Sequence, residues 1–400
     1  MNEKNPLQQA LDSRQSINVI FNGSGSEYFK IWIVNLMLSI ITLGIYSAWA
    51  KVRTKRYFYG NTELDGSVFE YHATPIMILK GRLIAVTIFV AVLLSDQFFP
   101  TAQLFIFVVL ALVAPWVIWR STVFNARMAS YRNVRFAFIG EVSKLYIYLL
   151  LLPLLPLLIA SAMVGLNYLS SGSVSLIADP TASAAVFGSA VFAIYLLGPY
   201  IQQKLMSYYF NHHRYGQGIF QARLEPSRFY IIYLKLTGLG ILITILLGSI
   251  GVLIAIFGSN LVDFEKITNY MASPRFALIF SVLLIVVIFH VAFVGKAYLQ
   301  SRVRNYAYGT LTLGSGISLS SRLRAWKLFK IFTTNFFMLV FTLGLAYPWT
   351  VTRLIRYKLE TIGLTAKDSL DGFVTQIQSQ QSALGEEIGQ AFDLNLDLGI

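Results

Sequence analysis

The sequence contains no cysteine, and only 13% of its 400 residues are charged. The absence of cysteine excludes disulfides, thiolate catalysis, iron–sulfur clusters and cysteine-ligated zinc sites. Soluble domains have about 25% charged residues, so the low charge and the 56% hydrophobic content argue against a soluble protein. Several apolar runs reach about 18 residues or more, the length that predicts membrane-spanning helices.

Motifs of common catalytic sites are missing as well. The sequence has no GxSxG elbow, HExxH motif, Walker loop or GxGxxG after a strand. His72, His212 and His213 lie in connectors between apolar runs, whereas His290 lies inside one. An ionisable group at membrane depth is a candidate functional residue, but no Asp, Glu, Lys or Arg lies deep in a run to act as its relay partner. We therefore predict no enzyme activity, no cofactor and no metal site.

Positive charge is concentrated in alternate connectors. Connectors 51–82, 120–144, 204–235 and 296–330 hold 23 Lys and Arg residues, and the three connectors between them hold two. The positive-inside rule places the basic connectors in the cytoplasm. It also accounts for the net charge of +13 without nucleic acid. We predict anionic lipid head groups as partners of this basic face.

The predicted fold class is a membrane all-α polytopic bundle with short β-strands or hairpins in the cytoplasmic connectors. Three helical hairpins are expected near 76–119, 145–200 and 230–295. Each basic connector contains a strand-like run, namely GSVFEY, VRFAFIG, GIFQARL or GISLSS. Because open strands cannot face lipid, we predict that these runs pair into one small cytoplasmic sheet.

Two stretches, 29–57 and 329–357, are similar at a spacing of 300 residues. Eleven of 29 positions are identical without a gap, whereas unrelated segments would share about two. We predict an internal repeat that flanks the hairpins within a single membrane domain, 17–364. A polar lead, 1–16, is expected before this domain and a polar tail, 365–400, after it.

The repeat supplies most of the candidate site residues. In each copy an Asn lies seven residues before Thr-Leu-Gly, and an amide buried in hydrocarbon must find a partner. The Asn pair could form a polar site or could only bond a neighbouring helix. The Trp and Arg residues after the turn are predicted to lie at the lipid interface. The candidate polar site is Asn35, Asn335, Thr42, Thr342, Gly44, Gly344 and His290, and the candidate lipid anchors are Trp49, Arg53, Arg56, Trp349, Arg353 and Arg356.

Two membrane topologies are open. If 29–50 and 329–350 both cross the membrane, there are eight spans, and the basic residues after the two copies lie on opposite sides. If both bend at Thr-Leu-Gly, where Gly permits a turn, there are six spans and both termini are cytoplasmic. We favour the bent arrangement because it respects the charge rule.

Several motifs resemble the YjgN-like family of bacterial inner-membrane proteins. They include F-N-G-x-G at 21–25, T-L-G-I-Y at 42–46 and W-A-K-V-R at 49–53, and the resemblance covers residues 17 to about 375. The second copy departs from the family pattern, with Ala346 and Val351 in place of the Tyr and Lys of the first copy. The resemblance implies a multi-pass protein of the bacterial inner membrane, and no substrate or reaction.

Two classes of function fit these observations. The duplication, the broken helices and the polar residues at membrane depth favour a transporter or channel of unknown substrate. The lack of buried charge and the strand-bearing cytoplasmic layer favour a non-transporting scaffold or a lipid-interacting protein with a basic cytoplasmic face. A water-accessible cavity that reaches Asn35 or Asn335 would support the first class.

Overall fold

The computed structural model describes residues 15–98, 103–172, 179–258, 273–314 and 316–366, together with residues 372, 374 and 375. The chain forms two compact units. The first unit comprises Met1–Glu225, Ala307–Ser321 and Pro348–Ile400, and the second comprises Pro226–Tyr306 and Arg322–Tyr347.

Ten short antiparallel strands of the first unit form a closed barrel. Each strand pairs with its two neighbours in sequence, and the last strand pairs with the first to close the ring. The strands are β1 (Gln15–Phe21), β2 (Thr62–Leu64), β3 (Ser67–Tyr71), β4 (Ala129–Tyr131), β5 (Val134–Phe138), β6 (His213–Tyr215), β7 (Gly218–Ala222), β8 (Leu311–Leu313), β9 (Ile317–Ser321) and β10 (Ile362–Ala366).

The barrel shows that the predicted all-α bundle is wrong. The four strand-like runs do form strands of one sheet, β3, β5, β7 and β9, as predicted. Six further strands complete the barrel, and four of them are only three residues long. A three-residue segment is too short to show the period-two alternation that identifies a strand. Closure therefore could not be recognised from the pattern of the sequence.

One structural unit occurs four times along the chain, and strand pairing assembles a fifth. A helix leads into a strand, a tight turn and a second strand, which leads into the next helix. The last three residues of β3, β5 and β7 pair with the whole of β4, β6 and β8 in the same relative register. In the first hairpin, Asp65 and Gly66 both have positive φ, as a two-residue type I′ turn requires. The fifth hairpin is assembled from β10 and β1.

In the described ranges, eleven helices lie between the strands. They are α1 (Gly25–Ile41), α2 (Ser47–Gly60), α3 (Pro75–Phe98), α4 (Gln103–Arg127), α5 (Val142–Tyr146), α6 (Leu152–Ser171), α7 (Pro180–Asn211), α8 (Pro226–Gly258), α9 (Pro274–Gly309), α10 (Ala325–Phe341) and α11 (Tyr347–Glu360). A π-helical segment, Ile147–Leu151, joins α5 to α6.

The helices connect to one end of the barrel, and the hairpin turns lie at the other. We call these the helix end and the turn end. This arrangement follows from the strand order, because every helix precedes an even-numbered strand or follows an odd-numbered one. The chain that leaves after β1 returns at β2, and the chain that leaves after β9 returns at β10. The choice between six and eight spans stays a prediction.

Within the described residues, five helices are long and apolar enough to cross a membrane. By contrast, α1 and α10 have 17 residues each. That length is about 26 Å at 1.5 Å per residue, less than the roughly 30 Å of a hydrocarbon core. The candidate spans are Pro75–Ser95, Phe105–Arg127, Val142–Ser170, Pro180–Asn211 and Pro226–Leu253.

Candidate functional site

Successive residues of a strand face opposite sides of the sheet, so only alternate residues enter the barrel interior. The residues that do so are mainly hydrophobic. In β5, Val134 and Phe138 are buried while Arg135 between them is exposed. In β9, Ile317 is buried while Ser318 is exposed. The inward side chains of the ten strands form a continuous core cluster that includes Val19, Leu64, Tyr131, Val134, Tyr215, Leu313, Ile317 and Leu364.

This core is not filled. It contains a cavity of about 400 Å³, which lies within the range of roughly 300–1,000 Å³ typical of small-molecule sites. Eight strands give a barrel interior that side chains can just fill, so the width of a ten-stranded ring accounts for the remaining space. Strand residues that line the cavity include Val19, Leu64, Phe69, Tyr131, Phe136, Tyr215, Phe220, Leu313, Leu319 and Leu364.

Three polar side chains of this lining, those of Tyr131, Tyr215 and Thr62, are hydrogen-bonded to the backbone. The Tyr131 hydroxyl donates to the carbonyl oxygen of Leu64 at 2.6 Å. The Tyr215 hydroxyl donates to the carbonyl oxygen of Tyr131 at 2.9 Å. Thr62 donates in the same way to Phe58 at 2.7 Å. Burial raises the pKa of the Tyr215 hydroxyl, which therefore stays neutral. The tyrosines thus present aromatic carbon to the cavity.

His213 is the histidine of the cavity lining. Its Nδ1 lies 2.5 Å from the carbonyl oxygen of Tyr209. A carbonyl only accepts, so Nδ1 carries the hydrogen, and Nε2 of the neutral ring is an acceptor. Burial lowers the pKa of His213, which favours the neutral form. The ring packs on Phe138 with 4.9 Å between centroids.

The cavity extends toward both ends of the barrel. Tyr209 and Phe210 of α7, together with Tyr308 of α9, contribute lining residues from the helix end. The rings of Phe210 and Tyr308 meet edge to face at 5.8 Å. Val374, which follows β10, also lines the cavity and is only 4% exposed. The sequence predicted a polar tail over 365–400, whereas the structure places Val374 in the barrel core.

The same kind of hydrogen bond recurs at five places where a strand leads into a helix. In each case a helix side chain donates to the buried backbone carbonyl two residues beyond an odd-numbered strand. Four of these bonds lie in the first unit, and the fifth is made within the second unit. They are Arg56 to Ala73 at 3.2 Å, Trp119 to Gly140 at 2.6 Å, Gln203 to Leu224 at 2.6 Å, Arg356 to Gly23 at 2.7 Å and Asn305 to Leu323 at 2.8 Å.

These bonds change the interpretation of two predicted lipid anchors. Arg56 and Arg356 each use a guanidinium nitrogen to fix a strand–helix junction. Arg53 and Arg353 are exposed and stay predicted anchors. Trp349 packs on Phe29 with 5.0 Å between ring centroids, and Trp49 stacks on Tyr46 at 6.1 Å.

The predicted Thr and Gly residues build the two Thr-Leu-Gly turns. Thr42 donates to the carbonyl oxygen of Leu38 at 2.7 Å and accepts from the amide of Tyr46 at 2.9 Å. Thr342 donates to Met338 at 2.6 Å and accepts from Ala346 at 3.0 Å. Gly44 and Gly344 have φ values of 90° and 88°, which favour glycine. These four residues therefore shape a bend in each copy.

The leucine of each turn is an apolar tip. Leu43 and Leu343 are each 94% exposed, and Ile41 and Phe341 beside them are 75% and 81% exposed. Each leucine also has a positive φ, 48° and 50°, so a bulky side chain is held outward at a strained position.

The remaining candidates are divided between the two units. Asn35 of the first unit is 4% exposed, and its side-chain amide has no hydrogen-bond partner among the described residues. Asn335 of the second unit is 8% exposed. His290, also in the second unit, lies 2.7 Å through Nδ1 from the Val286 carbonyl oxygen. Its ring contacts Phe337 at 5.7 Å.

The lining of the barrel was missed by the sequence analysis. His213 was interpreted as an ordinary connector residue, and Tyr131 and Tyr215 were not singled out. One signal was present: the alternate positions of the strand-like runs, such as Phe69, Phe136 and Phe220, are aromatic. That alternation predicts one buried face, but it does not indicate that the face surrounds a cavity.

Comparisons with known proteins agree with the membrane architecture. The inner membrane protein YjgN of Salmonella typhimurium is 25% identical over 359 residues, which cover 86% of this chain and 87% of the relative. The YjgN protein of Escherichia coli K12 is 26% identical over 315 residues, covering 75% and 76%. No solved structure matched the chain.

The family comparison covers almost the whole sequence. The matching family is described as "Bacterial protein of unknown function (DUF898)", and the match extends over residues 16–391. With its apolar helices and its inner-membrane relatives, the chain is a multi-pass protein of the bacterial inner membrane. It belongs to the DUF898 family of bacterial proteins, the family of the YjgN inner-membrane proteins.

Proposed function

We propose that this protein is a lipid-interacting protein that binds a hydrocarbon chain inside its barrel. The observation that carries the proposal is the cavity of about 400 Å³ within a closed ring of apolar and aromatic side chains. Such a site attracts apolar ligands because burial contributes about 25 cal/mol for each Å² of apolar surface removed from water.

The position of the barrel supports a lipid as the source of that chain. Helices α3, α4, α6 and α7 of the same unit are candidate membrane spans and connect to the helix end of the barrel. The helix-end lining therefore lies on the membrane side of the cavity. The basic charge of the connectors that contain the strands supports a position of the barrel at the cytoplasmic face. Exposed Arg53 and Arg353 are suited to anionic head groups there.

We further propose binding without catalysis. Ser130, His72 and Glu70 form a small cluster on β3, β4 and the loop after β3, with 2.7 Å between Ser130 Oγ and His72 Nε2. Glu70 approaches the same ring nitrogen at 3.4 Å, so it does not orient the imidazole through Nδ1 as in a catalytic triad. Ser130 is only 1% exposed, which leaves its hydroxyl no access to a substrate.

The proposal is tested by filling the cavity. Leu319 lines the cavity from β9, and its neighbour Ser318 faces outward on the same strand. The purified protein in nanodiscs is titrated with a pyrene-labelled single-chain lipid. Leu319→Trp is expected to lower the affinity at least tenfold, and the matched control Ser318→Trp to leave it unchanged. Equal affinity in both variants and the wild type would contradict binding in the barrel.

Transport is the second candidate function, favoured by the buried Asn35 amide that lacks a hydrogen-bond partner in the described part of the chain. Its helix is broken by a turn, as in discontinuous transporter helices. Asn35→Leu should then abolish movement of a fluorescent lipid between vesicle leaflets without changing binding in the barrel. If the variant retains movement, or if the wild type shows none, the transport hypothesis fails.

A further inference from the structure

His213 lies at one end of the cavity, and the strand residues that follow toward the other end line it mainly with apolar groups. His213 is the first residue of β6 and pairs with Phe138, the last residue of β5, so it lies at the helix end. Phe136 and Tyr215 follow toward the turn end, and the hydroxyl of Tyr215 is bonded to the backbone. A ligand that fits this distribution has one polar atom and an extended apolar part.

The chemistry of His213 specifies that polar atom. With its Nδ1 hydrogen directed to the Tyr209 carbonyl, the neutral imidazole offers only an acceptor at Nε2. A ligand that satisfies this nitrogen must donate a hydrogen bond. Among the described residues that line the cavity there is no Lys or Arg, and a buried carboxylate without a cation is strongly disfavoured. An ionised head group therefore does not fit.

We propose that the barrel binds a single-chain amphiphile whose neutral head group donates one hydrogen bond, a fatty alcohol or a protonated fatty acid, to Nε2 of His213. This inference rests on the proposed function and names its ligand class. The volume of about 400 Å³ is near the lower limit for ligand pockets, which favours one chain over two. The head group lies at the helix end, and the chain extends toward the turn end.

Three probes with the same C16 chain test binding in the barrel and recognition of the head group by His213 separately. The full-length protein in nanodiscs is titrated with 1-hexadecanol, 1-methoxyhexadecane and hexadecane, each competing with the pyrene-labelled lipid. The methyl ether retains the oxygen but cannot donate. The wild type is expected to bind the alcohol about tenfold more tightly than the ether, the effect of one additional hydrogen bond in a buried site.

His213→Phe should remove this preference and still bind hexadecane, because the ring volume is kept. His212→Phe is the matched control, since His212 is bonded to the Tyr208 carbonyl and does not line the cavity. It should keep the tenfold preference. If no probe binds the wild type, the proposed function itself fails. If all three probes bind the wild type equally, binding in the barrel stands and the role of His213 is overturned. This result needs only the wild-type protein, so it holds even if His213→Phe does not fold.

Discussion

The two Thr-Leu-Gly copies have the same local structure but different continuations. In both copies a 17-residue helix ends at the residue before the threonine. The φ values of the two leucines, 48° and 50°, agree closely, as do those of the two glycines, 90° and 88°. After the first copy, the chain continues into the β2–β3 hairpin. After the second, β10 pairs with β1 from the beginning of the described chain. The same local motif therefore serves one covalent hairpin and one that tertiary pairing must assemble.

The junction bonds show the same contrast. Arg56 donates to Ala73, which lies 17 positions ahead of it. Its counterpart Arg356 donates to Gly23, which lies 333 positions behind it. Closing a loop over a long stretch of chain costs conformational entropy. The β1–β10 pair must offset this cost through its own contacts, whereas a short turn joins the two strands of each other hairpin. We call the β1–β10 pairing the seam, and four experiments test its importance.

The largest effect is expected when a charge is placed inside the seam. Leu364 of β10 pairs with Ile17 of β1 and is buried in the barrel core. Leu364→Asp should destabilise the first unit by about 3 kcal/mol or more, because an unpaired carboxylate is buried. Thermal unfolding followed by near-ultraviolet circular dichroism measures the loss. Thr365→Asp, on the outward side of the same strand, is the control and should change Tm little; equal losses would show that the seam is not packed.

A disulfide across the seam should raise the free energy of unfolding. Ser16 and Thr365 are paired across β1 and β10, and the natural sequence contains no cysteine that could compete for a disulfide. Ser16→Cys with Thr365→Cys should form a disulfide that stabilises the oxidised protein by about 2–4 kcal/mol relative to the reduced one. The matched double variant Glu63→Cys with Val68→Cys links partners within the β2–β3 hairpin and should stabilise less. A larger gain in that hairpin would contradict the special status of the seam.

The two junction arginines allow a direct comparison. Arg356→Ala and Arg56→Ala each remove a charged donor from a backbone carbonyl, at a cost of about 1.5–3 kcal/mol. We expect Arg356→Ala to be the more destabilising, because it also releases the N-terminal strand. Urea unfolding of the two variants and of the corresponding Lys variants gives the difference. If Arg56→Ala costs as much as Arg356→Ala, the bond at the seam has no added role.

The smallest effect is expected at the turns themselves. Thr42→Val and Thr342→Val each remove two hydrogen bonds of equal geometry. Each should cost about 1 kcal/mol, and the two costs should agree, since the local structures agree. A difference of more than about 1 kcal/mol between the copies, in the same denaturation assay, would show that tertiary contacts support one turn and not the other.

Much of this architecture could be predicted from residues that act locally. Runs of apolar residues indicated the candidate spans, and Gly44 and Gly344 indicated the bends. The strands that contain Phe69, Phe136 and Phe220 were also predicted, since alternation is visible over five residues. Each of these features depends on neighbours within a few positions of the chain.

The ring, the cavity and its histidine were decided by tertiary structure. Pairing of β1 with β10 joins segments from opposite ends of the described chain, and no local pattern specifies which distant backbone groups will satisfy a strand edge. The space inside the barrel exists only once ten strands close, because strand number determines barrel width. His213 is an ordinary connector residue in the sequence. It lines the cavity because the register of β6 against β5 turns its side chain inward.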